Sequence, residues 1–131
     1  MTITPVKDWE RHWWKARPLM ERVCQRMPGI TVDEIYFKLR DDPDYQLLMM
    51  DDGAAVISLE EDSIHIVGLS GNFPRNARNW ADDFTAFVLS IAMILNRPKI
   101  TLCGRKGWSR ALKHLGWRVN GEQLEVFHGR I

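Results

Sequence analysis

The sequence predicts a small α+β protein, a mixed α/β arrangement in which helices cover both faces of one central sheet. Short apolar runs separated by turn residues indicate three antiparallel strands between residues 45 and 69. A long helical pattern and another β-rich run follow, and a strand–helix–strand unit of this kind joins parallel neighbours. With 131 residues, the chain is expected to form one domain, residues 1–131.

The opening third of the chain predicts three helices. The first is expected over residues 7–16 and the second over 18–27, because Pro18 disfavours a continuous helix. The third begins at Thr31, where the Thr-x-x-Glu spacing to Glu34 is a capping box.

The middle of the chain predicts a three-stranded meander over 45–50, 54–59 and 63–69. The Asp-Gly pair at 52–53 is a strong hairpin signal, because both residues tolerate positive φ. In the third strand, side chains alternate between the two faces of the sheet.

The last part predicts the longest helix, which starts near Pro74 and has apolar residues every three or four positions as far as Leu95. A strand over 99–103, a short helix from Gly107 and a final hairpin through Asn120-Gly121 follow. The predicted order is therefore α-α-α-β-β-β-α-β-α-β-β.

Composition and charge limit the classes of function. No apolar run approaches the roughly 20 residues of a membrane span, and no apolar signal region opens the chain, so we expect a cytoplasmic protein without membrane contact. The two cysteines and four histidines are scattered, which disfavours a metal site.

Charge is unevenly distributed along the chain. Residues 41–74 contain eight acids and no Lys or Arg, whereas residues 84–121 contain seven Lys or Arg and no acid. This segregation indicates either an anion-binding end or solvated faces of one sign.

The segment from Ile100 to Val119 reads ITLCGRKGWSRALKHLGWRV, a strand followed by a short helix that ends in Leu115-Gly116-Trp117. Together with the order of elements, it resembles the GCN5-related N-acetyltransferase (GNAT) superfamily, and the short chain is similar to small phage-encoded members. The resemblance implies an acyl-CoA-dependent N-acyltransferase that acts on an unknown amine, with acetyl-CoA as cofactor and no metal. The alternative is a noncatalytic acetyltransferase-like domain that serves in phage assembly, virion structure or protein binding.

The resemblance also implies where a coenzyme would bind. The third meander strand and the strand 99–103 are expected to be parallel neighbours that splay near Gly68 and Cys103 and admit the pantetheine arm. The family's coenzyme loop has the form Gln/Arg-x-x-Gly-x-Gly/Ala, and of the six residues from Arg75 to Trp80 only Arg75 matches it. A helix N-terminus favours anions, so side chains can still hold phosphate there. The implied coenzyme contacts are Leu69, Asn72, Arg75, Asn76, Arg78 and Arg105. The alternative is that Arg75 and Arg78 are simply exposed.

Two catalytic groups follow from the strand pattern. An amine acceptor must lose a proton before it attacks a thioester, and His65 on the third strand, with Glu60 near the start of that strand, can serve as the base. The alternative is a packed or surface histidine. The position of the family's catalytic Tyr falls on Leu112, which has no proton to give.

A basic segment offers a rival interpretation. Arg105, Lys106, Arg110 and Lys113 surround Trp108, a composition that can bind nucleic acid. Trp108 shares an apolar helix face, so we expect it in the core and do not expect nucleic-acid binding. The expected partner is an amine substrate or a protein, and a homo-oligomer or virion assembly is left open.

Overall fold

A computed structural model describes residues 2–27, 29–72, 79–103, 112–121 and 123–127. Seven strands form one sheet in the order β1-β2-β3-β4-β5-β7-β6. All neighbours are antiparallel except β4 and β5, which are parallel. The predicted mixed α+β sheet is confirmed. The strands are β1 (Ile3–Val6), β2 (Tyr45–Met50), β3 (Gly53–Leu59), β4 (Ser63–Gly71), β5 (Lys99–Leu102), β6 (Arg118–Asn120) and β7 (Gln123–Phe127). The helices are α1 (Trp9–Arg26), α2 (Val32–Asp41) and α3 (Asn79–Ile94).

Helices cover both faces of the sheet, as predicted. On one side, here the α1 face, α1 and α2 bury a set of apolar side chains against the strands. On the other, the α3 face, α3 packs through Phe84 and Val88 onto β-strand residues such as Ile64 and Ile100. The buried residues of α1 and α2 are Trp13, Ala16, Met20, Val23, Ile35 and Leu39. None of the helices described is long and apolar enough to cross a bilayer.

The start of the chain corrects the prediction of two opening helices. Ile3–Val6 forms an edge strand paired with β2, and Pro5 is tolerated because an edge strand needs hydrogen bonds on one side only. One helix then runs through Pro18. Pro18 lies on the exposed side, where water can solvate the carbonyl it leaves free, and burial of Met20 and Val23 offsets the lost hydrogen bond.

Two local signals behave as expected. The Thr31 hydroxyl accepts a hydrogen bond from the Glu34 amide at 3.2 Å and so caps α2. The meander strands have the predicted positions, with the turn before Gly53 between β2 and β3. The predicted short helix begins outside the described residues, and its end is a 3-10 turn over Lys113–Leu115 closed by Gly116 at φ 90°.

Candidate active site

The pairing of β4 with β5 ends near the middle of β4. Its pairing with β5 runs from Ser63–Lys99 to Ile66–Leu102, and β4 then continues to Gly71 without β5. The predicted parallel neighbours are confirmed, and their pairing stops just before Gly68 and Cys103.

A β-bulge lies at the same place on the opposite side of β4. Ile57 of β3 pairs with Ile66, whereas Val56 pairs with Gly68, so Val67 is the extra residue. A bulge bends a strand and increases its local twist, and this one coincides with the point where the pairing of β4 with β5 ends. The Trp80 side chain, near the start of α3, is half-buried and packs against the core of the α3 face.

Gly68 lets α1 approach the bulge closely. A Cβ atom at this position would lie 3.1 Å from Met20 Sδ and 3.1 Å from Val23 Cγ1, closer than ordinary van der Waals contact. The helix therefore packs closely on the backbone of β4, and a side chain at position 68 would require Met20 and Val23 to shift by a few tenths of an ångström.

His65 lies one residue before the end of the parallel pairing and points away from the α3 face. Its Nδ1 and Thr101 Oγ1 are 2.7 Å apart in a hydrogen bond between β4 and β5. The ring is half-buried. Burial lowers the pKa of the His65 imidazole below its ordinary value, and the nearby Glu60 charge opposes this shift. A neutral imidazole at physiological pH can accept a proton.

The Glu60 carboxylate is close enough to His65 to influence the pKa of the imidazole, and Glu60 also accepts two local hydrogen bonds. Its carboxylate accepts a hydrogen bond from the Ser63 hydroxyl at 3.5 Å, and its carbonyl accepts one from Arg97 Nε at 2.6 Å. The structure thus places Glu60 at the exposed turn before β4, where it can modulate His65 through charge.

His65 belongs to a line of polar side chains that crosses six strands in register on the α1 face. Each member is directly paired with the next, so their side chains share one face of the sheet. This polar row consists of Tyr45, Ser58, His65, Thr101, Glu125 and Arg118. The main contacts of α1 with the sheet are with β2, β3 and β4, so much of the row lies beyond the helix.

The row contains a buried carboxylate. Glu125 is 7% exposed and accepts hydrogen bonds from Asn120 Nδ2 at 2.9 Å and Lys99 Nζ at 3.0 Å. These bonds, first from Asn120 and then from Lys99, lower the pKa of the Glu125 carboxyl. The carboxylate is therefore ionised beside Thr101 at neutral pH.

The proposed coenzyme contacts are only partly within the described residues. The Leu69 side chain is buried in the core of the α3 face, which leaves its backbone for any ligand along β4. Asn72 is exposed at the end of β4, and its Oδ1 accepts a hydrogen bond from Arg22 Nη1 at 3.3 Å. Arg75, Asn76, Arg78 and Arg105 lie outside the described residues, as does Trp108.

The remaining candidates have structural explanations. Leu112, at the position of the family's Tyr, is fully buried in the core of the α3 face. Cys24 and Cys103 are half-buried free thiols, and burial raises the pKa of Cys24. Among the residues with described positions, no group of His, Cys, Asp and Glu could hold a metal ion.

The architecture is a mixed sheet whose one parallel pair ends beside a bulge, with His65 next to that point. Solved structures with this architecture are GCN5-related N-acetyltransferases. Ard1 from Thermoplasma volcanium aligns over 98% of both chains at 11% identity, with a TM-score of 0.72. A GNAT family acetyltransferase from Brucella melitensis, in complex with acetyl-CoA, covers 98% of this chain and 90% of its own at 14% identity and a TM-score of 0.63.

A third similar structure is the spermidine N-acetyltransferase from Vibrio cholerae in complex with CoA and spermine. It covers 96% of this chain and 94% of its own, with 13% identity and a TM-score of 0.63. No family model matches the chain, and no curated protein matches it significantly. The chain therefore has the GNAT fold, as the resemblance implied.

Proposed function

We propose that this protein transfers an acyl group from an acyl-coenzyme A to an amine, with His65 as the base. The observation that carries the proposal is the coincidence at one point of β4: pairing with β5 ends after Ile66, the bulge falls at Val67, and His65 precedes both. Within the part of the chain that the structure describes, no strand pairs with this edge of β4 beyond Ile66. Backbone N–H and C=O groups need hydrogen-bond partners, and a bound ligand could supply them there.

The proposal includes a position for the coenzyme. Similar structures contain acetyl-CoA or CoA, and we propose that the pantetheine arm lies along the edge of β4 beyond Ile66, where none of the described strands pairs with it. The phosphates would then lie beyond Asn72, near the start of α3, because a helix N-terminus favours an anion. The side chains of Arg75 and Arg78 would supply the charge, with Asn76 and Arg105 as further contacts.

The reaction starts from an acceptor in its ammonium form. His65 takes one proton, and the freed nitrogen attacks the carbonyl carbon of the thioester. The C–N bond forms as the C–S bond breaks, and coenzyme A leaves as a thiolate. Because Leu112 cannot donate a proton, the thiolate takes the second proton from the nitrogen that becomes an amide. His65 finally returns its proton to water.

The burial of Leu112 also favours a second candidate, a noncatalytic domain that keeps the fold for binding or assembly. The phage-assembly and virion roles have the sequence resemblance as their support. Both candidates share the fold and differ in whether the part of β4 beyond Ile66 binds acyl-CoA.

Calorimetric titration with acetyl-CoA separates the two candidates. The wild type is expected to bind, and the Arg75→Ala/Arg78→Ala variant to bind at least about tenfold more weakly, because charge-assisted bonds contribute roughly 1.5–3 kcal/mol each. The control variant Arg11→Ala/Lys15→Ala removes the same charge from exposed positions on α1. Release of the CoA thiol with spermidine or lysine as acceptor then tests transfer. No binding by a folded wild type would favour the noncatalytic domain.

A further inference from the structure

His65 is flanked in the polar row by two hydroxyl side chains. Ser58 on β3 and Thr101 on β5 each pair directly with it, and both are nearly inaccessible, at 7% and 5% exposed. The ring makes its hydrogen bond to Thr101, at 2.7 Å from Nδ1. The two flanking hydroxyls are therefore not equivalent.

We propose that Thr101 is a positioning residue for His65: it accepts the Nδ1–H hydrogen bond and so leaves the lone pair of Nε2 free to take the acceptor's proton. The second half of this statement rests on the function proposed above. The first half concerns the ring and the hydroxyl alone.

The direction of the bond follows from the neighbouring strand. A neutral imidazole has one donor and one acceptor nitrogen, and the bond made by one nitrogen determines the proton on the other. A hydroxyl can either donate or accept. Glu125 pairs directly with Thr101, and its carboxylate is held there by Lys99 and Asn120. This negative charge favours a Thr101 hydroxyl whose proton points towards Glu125 and whose lone pair points towards His65.

The position of the bond explains why it matters for transfer. His65–Thr101 is the pair next to the last one between β4 and β5, so the ring is held beside the point where this pairing ends. Both partners lie on strands, which restrict their backbone. A base held by a second residue keeps the geometry that proton transfer needs.

Three single variants test the inference. Thr101→Val removes the hydroxyl at similar shape, and Thr101→Ser retains it. Ser58→Ala is the matched control, because it removes a buried hydroxyl from the other flank of the same ring. Proton–nitrogen NMR of the imidazole in the protein without ligands reports the tautomer, and circular dichroism confirms folding.

The wild type, Thr101→Ser and Ser58→Ala are expected to show the Nδ1–H tautomer, and Thr101→Val a mixture of the two. In turnover, Thr101→Val should lower kcat about tenfold and change KM for acetyl-CoA by less than about twofold, because it affects proton transfer rather than coenzyme binding. Thr101→Ser should restore most of kcat.

An Nε2–H tautomer in the wild type, or an unchanged ring in Thr101→Val, would overturn the inference. Failure of the proposed function gives a different result: the expected tautomers together with no CoA release by the wild type. That outcome supports the positioning of the ring and refutes acyl transfer.

Discussion

Replacing Gly68 with alanine tests the close approach of α1 to the bulge. Gly68 has no positive φ, so the effect comes from contact and not from backbone strain. Its new Cβ would lie 3.1 Å from both Met20 Sδ and Val23 Cγ1. Met20 can turn aside, whereas a β-branched valine in a helix has one strongly preferred rotamer.

The expected loss follows from two opposing effects. Overpacking of a core costs about 1–3 kcal/mol, and replacing glycine recovers about 0.4–1 kcal/mol because the unfolded chain has fewer states. We expect Gly68→Ala to lower the free energy of unfolding by about 1–2 kcal/mol, measured by urea denaturation. For a chain of this length, each kcal/mol lowers the melting temperature by roughly 3–5 °C.

A double-mutant cycle assigns the loss to this contact. Val23→Ala removes the two valine methyl groups that the new Cβ would meet and leaves only the flexible Met20 side chain, so Gly68→Ala should cost about 1 kcal/mol less in that background. Val88→Ala, a buried valine of α3 on the other face, is the control and should be additive with Gly68→Ala. A Gly68→Ala protein as stable as the wild type, or an equal loss with and without Val23, would refute the reasoning.

Three further results are expected. Trp80 packs against the core, so Trp80→Ala should destabilise the fold by about 3 kcal/mol. The Trp14 side chain is 71% exposed, so Trp14→Ala should cost less than about 0.5 kcal/mol. Equal shifts of the two melting temperatures would contradict the assigned helix faces. Because burial lowers the pKa of His65, kcat/KM should rise with pH through a value below the ordinary histidine pKa, and a rise only above it would argue against this base. Because the pKa of Glu125 is lowered in the folded protein, its ionised carboxylate stabilises the fold above the ordinary carboxyl pKa, and this contribution is lost as pH falls through the folded-state pKa. Glu125→Gln should therefore make the free energy of unfolding depend less on pH in the acid range. An unchanged dependence would contradict the bonds from Lys99 and Asn120.

Local signals were enough to predict much of the fold. The turn before Gly53 and the capping pattern at Thr31 act over a few residues, and the periodicity of α3 is long. The prediction for the first 27 residues was wrong because Pro5 and Pro18 are each compatible with more than one structure. Pro5 is tolerated because its strand lies at the edge of the sheet, and α1 continues past Pro18 because its buried face packs on the sheet. Neither condition can be recognised from the local sequence.

The candidate site was only partly predictable for the same reason. His65 and Glu60 were identified from their strand and its preceding turn. Thr101 and Glu125 were not, since each is an isolated polar residue among apolar neighbours and their meaning lies in the register of β5 and β7. Alternation does indicate that both point away from Ile100 and Val126, and this was the available signal.

The edge strand β1 has a consequence for behaviour at high concentration. A sheet grows by adding foreign strands to an edge, and each added strand needs backbone donors along that edge. Pro5, in the middle of a four-residue strand, offers no N–H. The opposite edge, β6, is only three residues long and carries Arg118. Among the strands that the structure describes, neither edge offers a long, uninterrupted template, which disfavours growth of the sheet by added strands.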